Sequence, residues 1–203
     1  MQEQMRKVPL QETDQEQMAP EKRRFVIFGY SFSPGALIAW LGLLGLLMLL
    51  AMGLQNTRQG PVAIGQEVPD FAFQTFEGQE YRLADLRGKV VVVNFWASWC
   101  KPCEQEAADL ESAWQSYKGT GDVVFLGVDY TDTEPEALAY LRKFGITYPN
   151  GPDLRTRISQ AFRIRGVPET YIVDQEGRLA SFKIGPFLGL GEIRSLIDPL
   201  LEG

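Results

Sequence analysis

Residues 90–103, VVVVNFWASWCKPC, predict a buried β-strand that leads through a short turn into a helix. The β-branched and aromatic run Val90–Trp96 has the length and composition of a strand. Pro102 suits the first turn of a helix, because the N–H that proline lacks would have no partner there. Apolar side chains then recur at helical spacing, at Ala107, Leu110 and Trp114. The stretch therefore places Cys100 and Cys103 at a helix N-terminus.

The two cysteines have the spacing that thiol–disulfide exchange uses. At a helix N-terminus, backbone N–H groups and the helix dipole stabilise a thiolate. Thiols in Cys-x-x-Cys motifs have pKa values from about 3.5 to about 7.5, against about 8.5 for a free thiol. The spacing also lets Cys103 attack a disulfide that Cys100 has formed with a substrate. Redox chemistry is therefore the favoured role of the pair.

Composition argues against other roles for the cysteines. The chain has 203 residues, with two cysteines and no histidine. A structural zinc site needs four such ligands, which this chain could supply only across a dimer, so we expect no metal and no cofactor besides the disulfide itself. A purely structural disulfide closing so short a loop would stabilise little. The net charge of -6, with no basic cluster in the main domain, gives no reason to expect a nucleic-acid partner.

The first 64 residues predict a membrane anchor between polar segments. Residues 1–34 are expected to form a disordered cytoplasmic tail. Residues 35–54 carry no charge and are long enough to cross a bilayer core of about 30 Å, so we expect a transmembrane anchor. Residues 55–64 would then be a linker to a folded domain, residues 65–203.

Two alternatives to an anchor stay open, a buried core helix and a cleavable signal peptide. The segment is apolar on every face, which disfavours a core helix. Ala51-Met52-Gly53 loosely matches a signal-peptide cleavage site, but the apolar run exceeds the usual length of about 7–15 residues. Lys22-Arg23-Arg24 precedes the segment and only Arg58 follows closely. The positive-inside rule therefore predicts a single-pass protein of the cell membrane, with its domain outside the cytoplasm.

The rest of the chain predicts alternating strands and helices. In order, we expect a hairpin around Glu77-Gly78, the strand from Val90, a helix over Cys100–Lys118, a strand over Asp122–Tyr130, helices over Glu134–Phe144 and Arg155–Phe162, strands over Glu169–Val173 and Leu179–Ile184, and a helix after Leu190-Gly191. This order is typical of an α/β sandwich with a mixed sheet.

Four stretches of the domain also occur together in a known family. They are Asp70-Phe71, Leu86-Arg87-Gly88-Lys89, the run Asn94–Cys103, and Gly166-Val167-Pro168-Glu169-Thr170 ahead of Tyr171-Ile172-Val173-Asp174. With these stretches the domain, over about residues 65–203, resembles the membrane-anchored TlpA-like thioredoxin-fold proteins, which include ResA and CcmG. The resemblance implies a thioredoxin-like fold, with a mixed central sheet, flanking helices and an N-terminal hairpin, preceded by one transmembrane helix.

The resemblance also implies roles around the cysteines. Cys100 would be the exposed nucleophile and Cys103 the resolving thiol. Trp99 would flank and shield the disulfide, with an ordinary core aromatic as the alternative. Lys101 would support the thiolate or be a solvated cation.

A second set of implied roles lies around the proline. Pro168 would be cis and lie across from the disulfide, where it and Val167 would pair with substrate backbone. Glu169 would contact substrates, with a solvated charge as the alternative.

Glu106 is the expected proton acceptor. It lies one helical turn after Cys103, so a carboxylate there could accept a proton during exchange. The alternative is a first-turn acid that complements the helix dipole, a role for which Glu104 competes. Asn94 stands where thioredoxins keep a buried aspartate, which favours Glu106.

These residues predict an extracytoplasmic thiol–disulfide oxidoreductase that acts on protein thiols and disulfides. The resemblance implies a reductase fed by a membrane electron donor of the thiol-carrier type, with apocytochrome c as the family's usual client. One alternative is a peroxidase of the peroxiredoxin type, although Ala97 stands where that family has threonine. The other is a non-catalytic peptide-binding or chaperone module, against which the intact cysteine pair argues.

Overall fold

The chain divides into two compact units, residues 1–59 and 60–203. The structure is a computed structural model in which residues 25–27, 30–57 and 62–202 are described. Most of the predicted tail, residues 1–24, lies outside the described residues, as do residues 58–61 of the predicted linker.

The first unit contains a short ribbon and a long helix. β1 (Phe25–Ile27) pairs antiparallel with β2 (Tyr30–Phe32), in a segment for which the sequence predicted no strand. α1 (Pro34–Thr57) covers the predicted anchor and continues three residues into the predicted linker. Over Pro34–Met52 it is long and apolar enough to cross a membrane, and none of this stretch is buried in the structure. A core helix, the first alternative to an anchor, would be mostly buried, which this stretch is not.

The second unit is built on a five-stranded mixed sheet in the order β7-β6-β5-β8-β9. Its strands are β5 (Val90–Trp96), β6 (Val123–Asp129), β7 (Asn150–Pro152), β8 (Glu169–Val173) and β9 (Leu179–Ile184). β5, β6 and β7 run parallel, whereas β8 is antiparallel to both β5 and β9. An antiparallel hairpin of β3 (Ala72–Gln74) and β4 (Glu80–Arg82) precedes the sheet. This is the predicted thioredoxin-like architecture.

Helices cover both faces of the sheet. They are α2 (Lys101–Tyr117), α3 (Glu134–Phe144), α4 (Arg157–Phe162) and α5 (Leu190–Ile197). β5 is buried along its whole length because its side chains alternate between two cores. Val91, Val93 and Phe95 pack with the α4 side, which includes Ile158 and Phe162. Val90 and Val92 pack with α2 and α5, through residues such as Leu110 and Ile193.

Candidate active site

A disulfide joins Cys100 and Cys103 at the N-terminus of α2. β5 ends at Trp96, and a turn closed by a hydrogen bond from Cys100 N to the Ala97 carbonyl (3.1 Å) brings the chain to the helix. Cys100 is the N-cap of α2, and its Sγ accepts a hydrogen bond from Cys103 N at 3.2 Å. The same N–H group can stabilise a Cys100 thiolate once the disulfide is reduced.

Cys100 is buried in this oxidised state, although the sequence analysis expected an exposed nucleophile. Only 3% of its surface is exposed, because it lies in an apolar cluster with Cys103 and side chains from β5, α2 and α3. Trp96, Ala107 and Tyr140 belong to this cluster.

Trp99, next to Cys100 in sequence, lies at the surface with 57% of its area exposed. Its indole Nε1 donates a hydrogen bond to the Thr131 carbonyl at 3.2 Å. The alternative of a core aromatic is therefore wrong. A large aromatic face beside the disulfide is available to a substrate.

The Val167–Pro168 peptide bond is cis, as the resemblance implied. β8 begins directly after it, and the pairing of Glu169 with Phe95 sets this loop opposite the end of β5. Val167 is half-buried and packs against the cluster that contains both cysteines. The structure thus brings together the disulfide and the predicted peptide-binding loop.

Glu169 is only 2% exposed, so the alternative of a solvated charge is wrong. One carboxylate oxygen accepts a hydrogen bond from Arg165 N and the other from the Tyr171 hydroxyl, both at 2.8 Å. These bonds close the loop that carries the cis peptide. Contact between Glu169 and a substrate stays a prediction.

Glu106 lies on α2 one helical turn after Cys103 and is 1% exposed. Its Oε1 accepts a hydrogen bond from Asn94 Nδ2 and its Oε2 one from Phe187 N, both at 2.9 Å. Asn94 Nδ2 also donates to Thr170 Oγ1 at 2.9 Å. Burial raises the pKa of Glu106 to about 7, and the two N–H donors limit the rise. At neutral pH the group can both accept and release a proton.

Glu104, not Glu106, is the acid of the first helical turn, where it is half-buried. It accepts hydrogen bonds from Lys101 at 3.1 Å and Lys143 at 3.3 Å, and these two bonds lower its pKa. The dipole-complementing alternative therefore describes Glu104. Lys101 is a solvated cation paired with Glu104, as one of its two predicted roles stated.

Two groups of contacts at this site were not predicted from the sequence. The first is Phe187 N, which holds Glu106; a backbone N–H leaves no signature in the side-chain pattern. The second is the loop after β6, where Asp132 Oδ2 accepts a hydrogen bond from Ser98 N at 2.6 Å. An acidic residue after a strand was the only available signal for it.

The assembled groups suit two-electron sulfur chemistry. They comprise a sulfur pair at a helix N-terminus, a buried carboxyl group with a pKa near neutrality and an exposed aromatic face. Within the described ranges, no three or more cysteine, aspartate or glutamate side chains are grouped to hold a metal ion.

Comparison with known proteins gives consistent matches. The model of the AhpC/TSA family matches residues 64–182. Thiol-disulfide oxidoreductase ResA of Geobacillus thermodenitrificans is 33% identical over 145 residues, 69% of this chain and 83% of that protein. Thioredoxin-like protein YneN of Bacillus subtilis is 32% identical over 157 residues, 72% of this chain and 89% of that protein.

Solved structures agree with this fold. The crystal structure of a thioredoxin-family thiol:disulfide interchange protein from Chlorobium tepidum superposes with a TM-score of 0.62 at 26% identity, over 68% of this chain and 98% of that one. Its match covers the domain that carries the disulfide. On these matches and the geometry of its cysteine pair, the chain belongs to the AhpC/TSA family and is a thiol–disulfide oxidoreductase of the ResA type.

Proposed function

We propose that the protein is a membrane-tethered reductase of protein disulfides that works outside the cytoplasm. The observation that carries the proposal is the buried Glu106 carboxyl, one helical turn from Cys103 and with a pKa of about 7. A buried proton acceptor behind the resolving cysteine suits a dithiol that must give up two protons as it gives up two electrons.

The reaction begins with the reduced pair. The Cys100 thiolate attacks one sulfur of a substrate disulfide, forming a mixed disulfide and releasing the other substrate sulfur as a thiolate, which takes a proton. Glu106 accepts the Cys103 proton, and the Cys103 thiolate attacks Cys100 Sγ. The second substrate sulfur leaves and is protonated, so the substrate gains two electrons and the Cys100–Cys103 disulfide reforms.

The charges at the site favour the reducing direction. Strong oxidants of this fold owe their high potential to a stabilised reduced form. Here the buried Glu106 carboxyl disfavours a nearby thiolate, and Glu104 holds the Lys101 cation in an ion pair. Both contacts leave the reduced form less stabilised, which favours a reductant.

The tether and orientation rest on the first unit. α1 is apolar and unburied over Pro34–Met52, and the bases Lys22-Arg23-Arg24 precede it. The positive-inside rule places these bases in the cytoplasm and the domain outside. In an oxidising compartment the domain needs electrons from a membrane thiol carrier. An apocytochrome c, whose paired thiols must be reduced before haem attachment, is the client class that we propose.

A trapping experiment tests the function. In the Cys103→Ser variant of the full-length chain, Cys103 cannot resolve the mixed disulfide. With a Cys-x-x-Cys-His peptide supplied in its disulfide form, Cys100 should therefore accumulate joined to one peptide cysteine while the other becomes a free thiol. The Cys100→Ser variant should trap nothing. If the unsubstituted reduced protein leaves the peptide oxidised, the reductase proposal is wrong. Peptide binding that survives the double Cys100→Ser, Cys103→Ser change would favour the chaperone alternative.

A further inference from the structure

The turn that carries the nucleophile is held mainly by hydrogen bonds to residues outside the turn. This cysteine turn, Ala97–Cys100, follows β5 and presents Trp99 and Cys100. Its internal hydrogen bond runs from Cys100 N to the Ala97 carbonyl. The positions of Ser98 and Trp99 therefore depend on groups elsewhere in the domain.

The loop after β6 supplies those groups through three successive residues. Tyr130 N donates to the Trp96 carbonyl at 2.7 Å, which continues the pairing of β5 and β6. The Thr131 carbonyl accepts the Trp99 indole N–H at 3.2 Å. The third contact, between Ser98 N and Asp132 Oδ2, is the only one of the three that a loop side chain makes. Thr131 adopts a φ of 51°, a left-handed conformation that is uncommon for a non-glycine residue.

Two further groups, Thr133 N and the Asp129 side chain, lie next to the Asp132 carboxylate. Its Oδ1 accepts a hydrogen bond from Thr133 N at 2.8 Å. Asp129, at the end of β6, is 3% exposed and lies within hydrogen-bonding reach of Asp132. Burial and the neighbouring Asp132 carboxylate raise the pKa of Asp129 to about 8. At neutral pH Asp129 therefore keeps a proton that it can donate to Asp132.

We propose that Asp132 is a positioning residue for thiol–disulfide exchange, which holds the cysteine turn in one arrangement toward a protein substrate. This inference rests on the proposed function, since it requires exchange at Cys100. A protein substrate must meet Trp99, Val167 and Cys100 together, whereas a small disulfide needs only the sulfur atom. Loss of the hydrogen bond between Ser98 N and Asp132 should therefore slow the reduction of large substrates more than that of small ones.

The test compares insulin, a protein disulfide substrate, with hydroxyethyl disulfide, using the reduced full-length chain in detergent. Asp132→Ala should lower the insulin rate constant about tenfold and the small-disulfide rate constant less than about twofold, because a hydrogen bond to a charged acceptor is lost. Asp132→Asn keeps an acceptor oxygen and should keep at least about half of the insulin rate. Asp122→Ala, which removes an exposed carboxylate at the other end of β6, is the matched control and should change neither rate.

Equal losses of rate with both substrates would overturn the proposal. So would an Asp132→Ala variant with the same rates as Asp122→Ala. An Asp132→Asn variant as slow with insulin as Asp132→Ala would overturn it as well. Hydrogen exchange over residues 97–100 of the oxidised chain is a second readout that needs no turnover. It should be about tenfold faster in Asp132→Ala and unchanged in Asp122→Ala. If the unsubstituted protein reduces neither substrate, the proposed function fails. Hydrogen exchange then decides by itself whether Asp132 holds the cysteine turn. Faster exchange in Asp132→Ala supports this role, and unchanged exchange overturns it.

Discussion

Glu106 and Asp129 are both buried carboxyl groups next to β5, yet their surroundings differ. Glu106 accepts two N–H donors, from Asn94 and Phe187. Asp129 has acidic neighbours, and within the described part of the chain its Oδ1 has no hydrogen-bond partner. Burial raises both pKa values, to about 7 for Glu106 and about 8 for Asp129, where Asp132 adds to the rise. Both groups therefore cost stability at neutral pH, but only Glu106 lies one helical turn from a cysteine.

The largest expected effect is on the rate of disulfide reduction, which should depend on Glu106 but not on Asp129. Glu106→Gln should slow single-turnover reduction of a peptide disulfide by about 10²-fold to 10⁴-fold at pH 7, because the proton acceptor for Cys103 is lost. Asp129→Asn should slow it less than about twofold, because an amide can donate a hydrogen bond to Asp132 as a protonated carboxyl group can. Rapid-quench measurement of both variants checks this. Equal losses in the two would contradict a specific role of Glu106 as the proton acceptor.

Stability should respond most to Asp129. The carboxyl pKa is 3.8 without the fold and about 8 within it, so the native state binds the proton more tightly. Its contribution is present below pH 3.8 and is lost as the pH rises through about 8. Asp129→Asn has no such loss, so at pH 9 it should be more stable than the unsubstituted domain by up to about 6 kcal/mol.

Urea unfolding of oxidised residues 60–203 at pH 4 and pH 9 measures the change at Asp129. Asp122→Asn serves as the control, since Asp122 is exposed at the opposite end of β6. A stability difference that stays constant between the two pH values would contradict the buried, protonated Asp129.

Glu106 should change the pH dependence of stability in the same direction as Asp129, but by a smaller amount. Its pKa is raised from 4.5 to about 7, so its stabilising contribution is present below pH 4.5 and is lost as the pH rises through 7. The unsubstituted domain should lose about 3 kcal/mol over this range relative to Glu106→Gln. Unfolding curves of the two proteins at half-unit pH intervals give this difference directly. A parallel pH dependence would mean that Glu106 is ionised throughout.

The smallest expected effect comes from the donor to Glu106. Asn94→Ala removes the N–H group bound to Oε1, so it should raise the pKa of Glu106 and lower the free energy of unfolding by about 1 to 2 kcal/mol. Carbon-detected NMR titration of Glu106 measures the first change and urea unfolding the second. Thr170→Val, which removes the other acceptor of Asn94 Nδ2, should leave the Glu106 titration nearly unchanged.

The central strand, α2 and α3 could be predicted because their signals are local. Val90–Trp96 is strand-forming by composition, and Glu134–Phe144 has an apolar face and ends at Gly145, which adopts a φ of 64°. β7 could not be predicted, since Asn-Gly-Pro has no strand composition and becomes a strand only by pairing with β6. α4 begins two residues later than expected, after a 3₁₀ turn in which Arg155 is left-handed.

Prediction of the site was limited in the same way. The spacing from Cys103 to Glu106 follows from helix geometry, so that pair was visible in the sequence. The burial of Cys100 and of Glu169 depends on side chains and backbone groups from distant parts of the chain, which local patterns do not show.

The reduction potential of the Cys100–Cys103 couple decides whether the protein is a reductase. Residues 60–203 would be equilibrated with dithiothreitol or glutathione buffers, and the free thiols trapped and counted. We expect a potential of about −270 mV or lower, as in thioredoxin, because the surrounding carboxylates disfavour the thiolate. A value near about −120 mV, as in strong oxidants of this fold, would contradict the reductase and indicate a protein that introduces disulfides.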